Sequence, residues 1–230
     1  SGKSGIDYIT YFDTTDFPVK IAGEISNFNP EDHFERKEVR KLDPFSIYAL
    51  VACNEAVQMA GLDSYSFDQN RAGVMIGCGI GGINTLLHEH DVLNNNGARR
   101  ISPFFVTKLI VNIAGAQIAI KWNLKGPNQT VVSACASATD AIGMALRVIQ
   151  SGMADIMIAG GTEASICDLP LAGFSKIRAL CNDADPPQSA SRPFDKDRSG
   201  FVMGEGSGML VLETEEHALS RGAKILGELA

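Results

Sequence analysis

Four short apolar runs limit the fold of this chain more than any other feature. They are Arg71 to Gly77 (RAGVMIG), Thr130-Val131-Val132, Asp155 to Ala159 (DIMIA, closed by Gly160-Gly161) and Met209 to Leu212 (MLVL). Runs of this kind predict strands buried on both faces, as in a sheet covered by helices on either side. Between them the pattern turns helical. Pro44 to Ala60 places Ala49, Ala52, Cys53, Ala56, Val57 and Ala60 on one stripe and ends at Gly61. Ile83 to Leu93, Pro103 to Ile120 and Ala136 to Gln150 are the other predicted helices. Strands alternating with helices define an α/β chain. The first forty residues are polar and turn-rich, with Phe-Pro and Asn-Pro steps at 17–18 and 29–30. The one long irregular stretch, Asn182 to Gly208, has the length of a functional loop.

Composition excludes several classes. Twenty basic side chains against 27 acidic ones leave a net charge of −7, which repels phosphate backbones and argues against a nucleic-acid binder. The most apolar long window, Phe104 to Ile120, is interrupted by Lys108, Asn112 and Gln117, so no membrane span is expected. Ser1-Gly2-Lys3-Ser4-Gly5 opens no signal peptide. Five scattered cysteines, an odd number, fit free thiols in a reducing cytoplasm better than a disulfide framework. No C-x-x-C pair suggests zinc, and neither a metal nor a cofactor is expected. The chain begins without Met and reads as a fragment.

Two motifs imitate ligand sites. Gly77-Cys78-Gly79-Ile80-Gly81-Gly82 satisfies G-x-G-x-x-G between a strand and a helix, but no carboxylate stands between Asp91 and Asp140 to hold a ribose. Closing the strand is the better reading, and dinucleotide binding the lesser one. Asp195-Lys196-Asp197-Arg198-Ser199-Gly200 starts like a calcium loop, yet Gly206 stands where the bidentate Glu belongs. Calcium is rejected.

The strongest local signal is Cys135, in Ser133-Ala134-Cys135-Ala136-Ser137-Ala138, where a strand gives way to a helix. A helix start carries unpaired N–H groups and partial positive charge, which favour a thiolate and an adjacent oxyanion. The small neighbours leave room for a substrate carbonyl. Two readings stand: a nucleophile, or a buried cysteine packed like alanine. Cys53 lies on a core stripe, while Cys78, Cys167 and Cys181 lack a strand-to-helix setting. His88 and His90 face apart on one helix, and His33 and His217 look like surface. Lys37, Arg40 and Lys41 have the spacing of one helical face, and Arg99-Arg100 form a second basic pair. These could dock an anionic partner, or simply form a solvated face paired with Glu35 and Glu38.

With these residues in view, the chain resembles the β-ketoacyl-acyl-carrier-protein synthases of the type I/II branch, closest to type II. The resemblance runs through Arg36-Lys37 to Asp43, Gly77 to Gly82, Ile101 to Val106, the Cys135 motif, Ala159 to Ala164 and Ser191 to Gly208, in order and spacing. It implies a thiolase-like fold, a layered α-β-α-β-α sandwich usually assembled as a homodimer. Residues 1–230 would then be its N-terminal domain with the start of the second half, incomplete at both ends.

The resemblance also implies a decarboxylating Claisen condensation in fatty-acid chain elongation. Cys135 would take an acyl group from acyl carrier protein, and malonyl carrier protein would lose carbon dioxide and attack it. Ile80 would limit the acyl pocket, Phe105 and Phe174 would line it, and Phe201 would stand near the cysteine. Lys37, Arg40, Lys41, Arg99, Arg100 and Arg178 would receive the acidic carrier protein. Ala138 replaces the glycine of many members, which should only tighten local packing. The family's catalytic histidines and lysine come from its C-terminal half, and none of the four histidines here matches them. A polyketide-type or initiating condensing enzyme, or a non-catalytic carrier-binding partner, are the alternatives. An isolated piece of such a sheet is expected to expose edges and an apolar face, and to be poorly soluble.

Overall fold

The computed structural model describes residues 2–182 and 185–229. In chain order its elements begin with β1 (Asp7–Tyr8), β2 (Ile21–Ala22), α1 (Arg36–Val39), α2 (Pro44–Met59), β3 (Ala72–Gly77) and α3 (Ile83–Asn96). There follow α4 (Phe105–Leu109), α5 (Ile113–Trp122), β4 (Asn128–Val131), α6 (Ser137–Gln150) and β5 (Ile156–Glu163). The last are α7 (Asp168–Lys176), β6 (Gly206–Glu213) and α8 (Glu215–Ser220). The chain divides into two compact units, one of Ser1–Phe28 with Ala164–Gly206, the other of Asn29–Glu163 with Ser207–Ala230.

The larger unit is built on a four-stranded sheet in the order β4-β3-β5-β6. Its central strand β3 pairs in parallel with both β4 and β5, bringing Gly77 level with Val131 on one side and Gly161 on the other. All six residues of β3 are buried, as the unbroken apolar run requires. Met75, Met157 and Ala159 pack with Ala141, Ala145 and Val148 of α6. Side chains alternate across the sheet, so Val74 and Ile76 point the other way, toward Gly115 of α5, where an added Cβ would already stand within 3.6 Å of both. There α2 joins the layer, its Phe45 carbonyl accepting from the Thr162 hydroxyl at 2.6 Å. Each large aliphatic side chain buried between these layers contributes about 1.5–3 kcal/mol.

One buried carboxylate starts two helices. Asp43 accepts from the Phe45 N–H (3.4 Å) in the first turn of α2 and from the Thr85 N–H (3.1 Å) and hydroxyl (2.6 Å) in the first turn of α3. Burial pushes its carboxyl above the usual carboxylate value, against these hydrogen bonds.

Two expectations need correction, and one short element adds to the picture. The helix expected from Pro103 to Ile120 is two helices, because the Leu109 carbonyl accepts from Gly82 N–H (3.1 Å) and Ile110 turns extended. The basic residues near position 40 do not share a helical face: α1 has four residues, Arg40 is its C-cap and Lys41 lies beyond. The early turn-rich stretch holds a short antiparallel ladder, with Asp7 opposite Ala22 and Tyr8 opposite Ile21.

That ladder belongs to the smaller unit, whose core gathers Ile9, Val19, Ile21, Leu171, Leu180 and Met203. Bridges from Gly23 to Gly204 and from Leu180 to Phe201 tie in the long irregular stretch. Within it, Glu205 accepts from the Tyr11 hydroxyl (2.6 Å) and the Ile25 N–H (2.8 Å). The part of the expected loop at 183–184 lies outside the described residues. Among the described residues, no helix is long and apolar enough to cross a membrane.

Candidate active site

Cys135 stands in a single 3-10 turn, Ala134–Ala136, between β4 and α6. Its thiol is exposed, so the alternative of a core filler does not hold. The turn is held by a compact set of bonds. Ser137, itself buried, accepts from the Ser133 N–H at 2.9 Å and donates to the Ala134 carbonyl at 2.7 Å. Ser133 donates its hydroxyl to the Asp140 carboxylate, one turn into α6. Ala134 takes the left-handed conformation at φ 53°, which costs a non-glycine residue on the order of 1 kcal/mol. These bonds and the packing beneath hold the turn in that conformation.

Glycines set how deeply this helix start sits. A Cβ on Gly77 would lie 2.2 Å from the Ser137 carbonyl carbon. One on Gly161 would lie 2.6 Å from Ala138 Cβ. Both positions are at the C-terminal ends of adjacent parallel strands, where α/β sheets present their ligands. The start of α6 therefore rests on bare backbone, with Cys135 at the sheet's upper edge and the helix's partial positive charge behind it. Ala138 is in close packing with Gly161, as its tightening role anticipates.

The second feature is the Gly77–Gly82 loop. Gly79 and Ile80 donate their N–H groups to Glu163 Oε2 at 2.8 and 3.0 Å, and Gly81 donates to Oε1 at 3.2 Å. A loop of this geometry is an anion cradle. Its anion is the protein's own side chain, which disposes of the dinucleotide reading. Behind the loop, Cβ atoms on Gly81 and Gly82 would come within 2.7 Å of Val111 Cγ1 and 2.4 Å of the Lys108 carbonyl oxygen. Ile80 is left 38% exposed at the tip. Phe105 is half-buried at the start of α4, the helix against which this loop is pressed.

Phe174 and Phe201 belong to the smaller unit. Their rings meet edge to face with centroids 5.5 Å apart, and Phe174 packs against that unit's core. Arg178 is in the same unit, exposed; Lys37, Arg40, Lys41, Arg99 and Arg100 are exposed in the larger one. Lys37 pairs with Glu35 at 2.7 Å, and Lys41 lies over the Phe104 ring at 5.7 Å from its centre. Glu38 instead returns to the Glu35 N–H, closing a cap.

The remaining cysteines differ from Cys135 in burial more than in setting. Cys53 and Cys78 are buried, and desolvation pushes both thiols up to about 12, with the Glu163 charge adding to the effect at Cys78. Cys181 is buried against Ser199. Two settings differ from expectation: Cys78 directly follows β3, and Cys167 is the N-cap of α7. His217, expected at the surface, is partly enclosed, with Nδ1 3.4 Å from Glu213 and its ring edge-on to Tyr65. His33, His88 and His90 are exposed. Asp195 accepts from the Asp197 N–H at 2.8 Å, an ordinary turn. Among the described residues, no three His, Cys, Asp or Glu side chains gather as a metal site.

Glu163, Ser137 and Asp140 were not singled out by sequence reasoning. Glu163 is signalled only by its place within the Ala159 to Ala164 motif, as the first charged residue after the DIMIAGG run.

Known proteins share this chain's sequence and fold. The family model described as "Beta-ketoacyl synthase, N-terminal domain" matches residues 1–218. A 3-oxoacyl-[acyl-carrier-protein] synthase 2 from Staphylococcus aureus is 50% identical over 99% of this chain and 56% of its own. The chain thus spans about half the length of the curated relatives it matches. Among solved structures, a β-ketoacyl synthase from Burkholderia phymatum STM815 superposes with a TM-score of 0.86 at 29% identity, covering 97% of this chain and 55% of that one. A type II polyketide ketosynthase, solved in complex with its acyl-carrier protein and bound to the hexaketide, gives 0.75 at 28% identity, covering 87% of this chain and 55% of that one.

Proposed function

The chain belongs to the β-ketoacyl synthase family, and from that premise we propose that it supplies the nucleophile of a carrier-protein-dependent condensing enzyme of fatty-acid elongation. The observation that carries the reading is the exposed Cys135 at the start of α6, lowered onto Gly77 and Gly161. The Cys135 thiolate attacks the carbonyl of an acyl carrier-protein thioester. The tetrahedral oxyanion collapses, the carrier thiol leaves, and the acyl group remains on Sγ. The Cys135 N–H serves as one oxyanion donor, a contact worth about 3–4 kcal/mol in the transition state. Malonyl carrier protein then loses carbon dioxide; the resulting enolate attacks the acyl-Cys135 carbonyl and expels the thiolate, giving a β-ketoacyl carrier protein. By resemblance, the histidines and lysine that promote decarboxylation belong to the family's C-terminal half.

By resemblance, this reading assigns acyl binding to Ile80 and Phe105 in the larger unit and to Phe174 and Phe201 in the smaller, and carrier-protein docking to Lys37, Arg40, Lys41, Arg99 and Arg100 in the larger and to Arg178 in the smaller. Support for a carrier partner comes from the polyketide ketosynthase solved with its own. The identity of 50% to a 3-oxoacyl-[acyl-carrier-protein] synthase 2, against 28% to that polyketide enzyme, supports the fatty-acid reading over the polyketide one. A cytoplasmic homodimer completes the proposal. Among the described residues β4 is an edge strand, with Asn128 and Gln129 exposed, and such an edge can pair with a second copy.

The test is intact mass and peptide mapping after incubation with an acyl carrier-protein thioester, with Cys135→Ala as control. An adduct confined to Cys135, and β-ketoacyl product on adding malonyl carrier protein to the full-length protein, support the proposal. Condensation retained by Cys135→Ala would falsify it.

A further inference from the structure

Nothing in the proposed chemistry accounts for Glu163, yet its carboxylate accepts three backbone hydrogen bonds from the loop that follows β3. It ends β5, the strand beside β3, and reaches across to the loop that leaves β3. Three consecutive N–H groups, those of Gly79, Ile80 and Gly81, converge on its two oxygens at 2.8, 3.0 and 3.2 Å. The Cys78 thiol lies 3.8 Å from Oε1, so all four residues from 78 to 81 address one side chain. Gly79 has no room for a side chain that would not crowd it: a Cβ there would stand 3.0 Å from Glu163 Oε2.

From the other side the loop is backed by Lys108, Leu109 and Val111. Between these two supports only Ile80 projects with an exposed side chain. Three successive donors aimed inward fix the backbone on which that side chain rides, since the Ile80 N–H is the middle one.

We propose that Glu163 is a positioning residue for acyl-chain selection: it clamps the Gly79–Gly81 backbone so that Ile80 is held as a firm wall of the acyl site. This rests on the reading of Cys135 and Ile80 given above. Removing the carboxylate frees three donors, slackens the loop and lets Ile80 yield to longer chains. A glutamine keeps the acceptor shared by Gly79 and Ile80, but turns an NH2 toward the Gly81 donor.

The experiment compares full-length protein with its Glu163→Ala and Glu163→Gln variants in two measurements. Hydrogen exchange by mass spectrometry reads the peptide spanning residues 77–82. Initial rates with saturated acyl carrier-protein thioesters give kcat/KM for long and short chains. In Glu163→Ala the peptide loses protection and the long-to-short ratio of kcat/KM rises about tenfold, the scale of a reshaped apolar pocket. Glu163→Gln falls between parent and Ala variant in both readouts, and alkylation of Cys135 by iodoacetamide stays at the parental rate. An unchanged ratio in an active parent, a parallel loss at every chain length, or unchanged exchange each overturns the proposal. A parent that makes no β-ketoacyl product defeats the functional reading and this role with it, and is distinguished by failing before any variant is compared.

Discussion

Gly161 and Ala138 meet across the junction of sheet and helix: a Cβ on Gly161 would come within 2.6 Å of the Ala138 Cβ. The distance sets the height of α6, and so of Cys135, above the strands. Gly161→Ala cannot be accommodated without lifting the helix start, and overpacking of this kind costs about 1–3 kcal/mol. Combining it with Ala138→Gly removes one of the two clashing methyls. The double variant should recover much of the stability and of the Cys135 acylation rate lost by Gly161→Ala, as read by denaturation and by acyl-adduct mass. Two losses that simply add would show that the contact does not position the cysteine.

Thiol labelling should separate the five cysteines by burial. Burial holds Cys53 and Cys78 with thiols up to about 12, so at neutral pH neither offers thiolate or access. Iodoacetamide followed by peptide mapping should mark Cys135 first and leave Cys53 and Cys78 unmodified in the folded protein. Prior acylation from a carrier thioester should protect Cys135 alone.

Two aspartates should give pH dependences of opposite sign. Asp155 is held low by its hydrogen bonds to Arg71, at 2.5 and 2.6 Å. Its contribution to stability is present above the unfolded value of about 4 and is lost as pH falls through the lower folded value. Asp43 is pushed up by burial, so the folded state binds its proton more tightly and stability declines as pH rises from about 4 through the higher folded value. Unfolding of parent minus Asp155→Asn should therefore grow with pH, and parent minus Asp43→Asn should shrink. Matching slopes would contradict both assignments.

Ser137 has a hydroxyl that closes the turn around Cys135 from both sides. Ser137→Ala leaves the Ser133 N–H and the Ala134 carbonyl without it and should cost about 1–2 kcal/mol. The acylation rate of Cys135 should fall by more than global unfolding explains. Equal effects on stability and acylation, measured in the same buffer, would reduce Ser137 to a structural part.

Arg99 and Arg100 are exposed, and among the described residues no ion pair holds them in the way that Glu35 holds Lys37. Replacing both with Glu should raise KM for the acyl carrier protein several-fold while leaving acylation by a small-molecule thioester unchanged. The parental KM should also rise with salt, because exposed charges are screened over about 10 Å at 0.1 M. A KM indifferent to both changes would move the docking surface elsewhere.

The residues themselves determined the α/β alternation, the buried central strand and the cysteine at a strand-to-helix turn. Each is a local matter: an unbroken apolar run has only a covered sheet to enter, and small residues after a strand allow a helix to start close to it. Family membership was equally legible, since the motifs lie collinear along the chain. What lay beyond local pattern was decided by tertiary contact. The break after Leu109 depends on a hydrogen bond from Gly82, far away in sequence, which no periodicity in Pro103 to Ile120 could announce. The short β1–β2 ladder has two residues per strand, too few to alternate visibly. The Gly77–Gly82 loop satisfies a dinucleotide-cradle pattern that the sequence ranks below a simple strand end, and it is a cradle. Its anion is Glu163, supplied by a strand more than eighty residues away, because parallel pairing of β3 with β5 sets that carboxylate beside the loop's N–H groups. Spacing could suggest the donors; only the sheet could bring them their acceptor.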